Sequence, residues 1–138
     1  MLRMSFMPSD FHPILLILGE NSELLKFSSI LDDFSKKGAN VSLTDSGVFS
    51  TDTSVELLEI KAGSNDLAGL WRSLDDSNKL IWRLPKKFAW IFGNEVANLA
   101  MSGERAGSVT LECEALNEIR IKVSVGEWEN HYLTDGTR

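Results

Sequence analysis

Two alternating stretches near the C-terminus constrain this chain more than any other feature. Val109, Leu111, Cys113 and Ala115 interleave with Thr110, Glu112 and Glu114, and Ile119, Ile121, Val123 and Val125 interleave with Arg120, Lys122 and Ser124. Apolar and polar residues in strict alternation mark strands with one buried face. Joined through the three residues Leu116-Asn117-Glu118, the stretches predict an antiparallel hairpin with Ala115 opposite Ile119, Cys113 opposite Ile121, Leu111 opposite Val123 and Val109 opposite Val125. The polar face then sets Glu114 against Arg120 and Glu112 against Lys122. A connection one residue shorter would set Cys113 against Arg120 and mix the faces, which a half-buried sheet does not allow. Cross-strand charge pairing accounts for these four ionic residues without any ligand.

Upstream, Pro13 to Leu18 is apolar at successive positions, as an interior strand would be. Gly19-Glu20-Asn21 turns the chain, and Ser22 is the expected N-cap of a helix reaching about Lys37. On that helix Leu24, Phe27, Leu31 and Phe34 form one stripe. Lys36 and Lys37 suit the negative end of its dipole, and Gly38 suits its termination. Short strands are expected at Val41–Leu43, Val48-Phe49 and Ser54–Lys61. Leu67, Leu70, Trp71 and Leu74, at i, i+3, i+4 and i+7, predict a short amphipathic helix stopped by Asp75-Asp76-Ser77-Asn78. Leu80–Leu84 is a short apolar segment ended by Pro85. Phe88, Ile91, Phe92, Val96 and Leu99 predict a further helix to about Met101, in preference to a strand over Phe88–Phe92. Residues 1–9 read as a loose leader, and Trp128–Leu133 as a final short strand or edge.

The expected fold is therefore α+β in a single domain, residues 1–138: a mainly antiparallel twisted sheet with two or three helices on one face. The alternative is an α/β arrangement in which the first strand pairs in parallel with the strand after the first helix. No internal repeat or linker divides the chain, and 138 residues suffice for one hydrophobic core.

Composition narrows the function classes. The net charge is −6, from 20 acidic and 14 basic residues, which weighs against a nucleic-acid partner and is compatible with a basic protein partner. The single cysteine, Cys113, excludes an internal disulfide and points to a reducing compartment, so a cytoplasmic location is expected. Its place beside Leu111 and Ala115 in the alternation marks it as packing rather than a nucleophile. The run Ile14–Leu18 is too short to span a bilayer.

Motifs that carry chemistry are few. The strand–turn–helix at Ile14–Phe34 has the layout of a phosphate cradle, but its loop has one glycine, no lysine and two carboxylates. His12 and His131 stand far apart in the chain, and the pairs Asp32-Asp33 and Asp75-Asp76 suit a solvated helix face and a turn. No metal site, cofactor or catalytic residue is therefore assigned. Lys86-Lys87, with Arg83 nearby, is the one basic cluster. Trp71, Trp82 and Trp90 fall in or beside apolar stripes and are expected in the core.

Glu127, Trp128, Glu129, His131 and Tyr132 place aromatics among charges, the composition of protein-recognition hot spots, and form the candidate partner-binding segment. The leading functional reading is a non-enzymatic protein-binding domain, in its concrete form a small acidic bacterial immunity-type protein that neutralises a basic toxin domain. The alternatives are a small enzyme or small-molecule-binding domain with a cleft between helices and sheet, and a homo-oligomeric interaction module.

Overall fold

The computed structural model describes residues 1–8, 13–64, 66–76, 78–103 and 107–126. In chain order it comprises β1 (Leu2–Met7), β2 (Ile14–Leu18), α1 (Asn21–Lys37), β3 (Val41–Ser42), β4 (Phe49–Thr51), β5 (Leu57–Ala62), β6 (Gly69–Arg72), β7 (Lys79–Leu84), α2 (Lys86–Met101), β8 (Gly107–Leu111) and β9 (Arg120–Val125). The strands form a five-stranded sheet, β4-β1-β2-β9-β8, and a four-stranded sheet, β3-β5-β7-β6. The fold is α+β. Both sheets are mixed: β1/β4, β2/β9 and β5/β7 are parallel pairs and the remaining four neighbouring pairs are antiparallel.

The run at Ile14–Leu18 explains the first sheet. Leu15, Leu16, Ile17 and Leu18 are all buried, so β2 takes the central position, where both faces and both edges are covered. It does run in a parallel pair, but with β9 and not with the strand that follows α1; β3 joins the other sheet instead, with Val41 opposite Ile60. Residues 2–7, expected within a loose leader, form β1 and pair antiparallel with β2 from Arg3 opposite Leu18 to Met7 opposite Ile14. The cause is an alternation of their own: Leu2, Met4 and Phe6 enter the core while Arg3 and Met7 lie partly exposed on the other face.

The α1 stripe is buried at Leu24, Phe27, Leu31 and Phe34, and Gly38 ends the helix at φ 67° with its N–H donating to the Phe34 carbonyl at 2.8 Å. The cap is Glu20 rather than Ser22, and Glu23 reaches back to accept from the Glu20 N–H at 3.1 Å. Residues 86–101 are helical. Ser28 of α1 donates to the Gly93 carbonyl of α2 at 2.8 Å, so the helix-weakening glycine sits where the two helices meet. Both helices share one core with the two sheets, joined by Trp82 of β7, which stacks on Phe92 at 6.0 Å and lies 6.4 Å from Phe27.

Two further expectations change. Leu67, Leu70, Trp71 and Leu74 do not form a helix: Gly69–Arg72 is β6, paired with β7 through Gly69–Arg83 and Leu70–Trp82. Only Leu70 of the four is buried, while Leu67 is 49% exposed and Leu74 fully exposed, so the helical spacing had no common face behind it.

The C-terminal hairpin keeps its faces but slips by two residues. Leu111 stands opposite Ile121, Val109 opposite Val123 and Gly107 opposite Val125. A two-residue slip preserves the inside–outside parity, so the hydrophobic pattern alone does not resist it. Residues 112–119 leave the ladder as a longer connection, with Glu114 and Asn117 both at φ 61°. This segment docks on the other sheet instead: the Ile119 N–H donates to the Leu70 carbonyl of β6 at 2.9 Å. Glu112 accordingly pairs with Arg120, at 2.8 Å, instead of with Lys122.

Candidate functional site

The link from residues 112–119 to β6 builds a surface centred on Trp71. β6 is an edge strand, and its Trp71 points away from the buried Leu70 and stays half-buried. Gly69, at φ 130°, is held close: a Cβ there would lie 2.8 Å from Glu118 Oε2 and 2.9 Å from Trp71 Cη2. That approach fixes the indole against the connection. Glu118 accepts from the Ala115 N–H at 3.1 Å and so shapes the turn that presents Leu116 and Asn117. Burial raises the Glu118 carboxyl above its ordinary range, while the amides of Cys113, Ala115 and Glu114 oppose the shift.

Trp71 is shared by two grooves. One, about 630 Å³, runs between residues 66–68, the start of α2 and the connection; Leu67, Ala68, Phe88, Ala115 and Leu116 supply its apolar wall, and Lys87, Asp66 and Glu114 its charges. Leu67 is 49% and Leu116 86% exposed, so two leucines of the groove that Trp71 lines stand in solvent. The other groove, about 800 Å³, lies between β1 and β6: Phe6, Pro8, Pro13, Trp71 and Ile119 line it together with Arg72 and Asn117. There the Arg72 guanidinium stacks over the Phe6 ring, 4.2 Å from its centroid.

Cys113 lines the first groove, but burial, reinforced by the Glu118 charge, pushes its thiol up to about 12, so it stays protonated near neutral pH. It has left the strand ladder and packs against the core. Among the described residues no group of three or more His, Cys, Asp or Glu is placed to hold a metal ion, and no helix is long and apolar enough to cross a membrane.

The remaining sequence candidates are distributed as follows. Glu127, Trp128, Glu129, His131 and Tyr132 lie outside the described residues. The strand–turn–helix loop closes on itself through Glu20 and Glu23, and Glu23 also pairs with the Met1 ammonium. Asp32 pairs with Lys36 at 3.1 Å on the α1 surface, and Asp76 accepts the Asn78 N–H at 2.9 Å in a turn. Lys86 and Lys87 open α2, both exposed. Trp82 is core as expected, but Trp90 is 57% exposed. The sequence does not announce the face around Trp71, because its three parts carry the patterns of a leader, a helix and a hairpin. The signals for it were the alternation in Leu2-Arg3-Met4-Ser5-Phe6 and in Leu70-Trp71 after Gly69.

Compared with family models, curated proteins and solved structures, the chain matches none.

Proposed function

We propose that this protein is a non-enzymatic protein-binding domain that seats its partner on the face around Trp71. The observation that carries this reading is the exposure of Leu67 and Leu116, at 49% and 86%, in the groove that the half-buried Trp71 also lines. Exposed large apolar side chains grouped around an aromatic anchor and rimmed by charge are the anatomy of an interface, whereas single scattered ones are ordinary. The acidic balance of the chain favours a basic partner, and an immunity-type protein that neutralises a basic toxin domain is one concrete form. In that form association slows as salt rises.

The test is affinity capture from the source organism with the wild-type chain, the double variant Leu67→Ser/Leu116→Ser, and Leu74→Ser as control. Leu74 is as exposed as a leucine can be but lines neither groove. A partner retained by the wild type and the control and lost by the double variant is the expected result. Equal retention by all three would remove the Trp71 face as the docking site.

A further inference from the structure

The groove between β1 and β6 differs from the first in its charge. Of its seven described lining residues only Arg72 is ionised, and the rest of the wall is aromatic, proline and aliphatic apart from the Asn117 amide. Phe6, buried in β1, supports the guanidinium from one side at 4.2 Å. Stacking occupies the flat face of a guanidinium and leaves its in-plane N–H donors unspent. Among the described residues Arg72 pairs with no carboxylate: the ion pairs are those of Glu23, Asp32, Glu59 and Glu112 with other cations. Among the described residues, then, Arg72 presents a pre-oriented guanidinium with no paired carboxylate in a groove walled by rings, prolines and an aliphatic side chain.

From this geometry we infer that the groove is a binding site for a small carboxylate with an aromatic or branched apolar body. The carboxylate takes the in-plane fork of Arg72 as a bidentate pair, and the body lies against Trp71, Ile119 and the prolines. At about 800 Å³ the groove is of a size that suits a small organic ligand. The Asn117 side-chain amide offers a further donor among the lining residues. The inference does not rest on the protein-binding reading, because it concerns the groove that Leu67 and Leu116 do not line; the two readings share only Trp71.

The probe is 3-phenylpropionate, with 3-phenylpropionamide as its uncharged twin, titrated into the isotopically labelled full chain. The readouts are the Trp71 indole N–H, assigned with Trp71→Phe, and the Arg72 side-chain N–H resonance. The acid is expected to bind about tenfold or more tightly than the amide at low salt, the worth of one charge-assisted hydrogen bond. Arg72→Gln should erase the difference and Lys87→Gln, on the other groove, should leave it intact. Equal affinities for acid and amide in the wild type, a preference that survives Arg72→Gln, or no shift of the Trp71 indole by the acid would each overturn the assignment. The acid–amide comparison needs no variant, so it stands even where a substitution disturbs folding.

Discussion

Replacing Glu118 by alanine tests how the connection between β8 and β9 is held in place. The carboxylate accepts the Ala115 N–H at 3.1 Å from a half-buried position against Gly69. Truncation leaves that amide without its acceptor in a segment whose backbone is already bent at Glu114 and Asn117. Loss of a partner to a sheltered polar group costs about 1–3 kcal/mol. Unfolding entropy of about 2.1 cal/mol/K per residue, over 138 residues, gives about 0.29 kcal/mol/K. The expected fall in Tm is therefore about 3–10 °C at neutral pH, followed by circular dichroism.

Glu118→Gln keeps an acceptor oxygen without the charge and should lose much less. The pH dependence separates the two causes. Because burial raises the folded-state carboxyl, the stability tied to this group is fully present below the unfolded carboxyl range and is lost as pH rises through the folded value. The wild type should therefore gain on the glutamine variant as pH is lowered through that window. A Tm for Glu118→Ala within about 1 °C of wild type, or equal losses for alanine and glutamine, would refute the capping role.

Other substitutions probe the rest of the scaffold. Gly93→Ala should raise stability by about 0.5–1 kcal/mol in chemical denaturation, since the added methyl meets Leu31 and Ser28 no closer than 3.4 Å and helix propensity improves; destabilisation would mean that α1 and α2 have no room to spare. A double-mutant cycle on Glu112 and Arg120 should return a coupling of about 0.2–1 kcal/mol, and one on Glu114 and Arg120 none. The opposite outcome would restore the unslipped register. Asp52→Ala should cost about 1–2 kcal/mol, because its carboxylate ties Ser5 of β1, at 2.6 Å, to the Ser54 amide, at 2.8 Å. Burial raises the Asp52 carboxyl, but the donors from Ser5 and Ser54 outweigh it and leave it lowered. Its contribution should hold above the ordinary carboxyl range and vanish as pH falls through the lower folded value.

Elements governed by local pattern were legible from the residues. The stripe of α1, its Gly38 end, the helix over 86–101 and the interior character of β2 all follow from periodicity; the α1 stripe and β2 are buried as expected, while of the α2 stripe Phe92 and Val96 are buried and Phe88, Ile91 and Leu99 partly so. What was not legible depends on contacts distant in sequence. The hairpin register was ambiguous by two residues because both choices bury the same face, and the choice is made by Ile119 bonding to Leu70 on another sheet. β6 was hidden by a chance match of Leu67, Leu70, Trp71 and Leu74 to a helical period. β1 was hidden because residues 1–9, with three methionines and Pro8, read as a loose leader. Trp71, Arg72 and Phe6 meet only once both strands exist, so no local motif could announce the grooves.

The central claim, that the partner docks around Trp71, is tested most directly by mapping a captured partner onto the labelled chain through its four tryptophan indole resonances and the backbone amides. The account predicts that the Trp71 indole and the amides of Leu67, Ala115 and Leu116 move together while Trp82 and Trp90 stay in place. Perturbation centred on Trp90 and Met101 of α2, with the Trp71 indole unmoved, would contradict it.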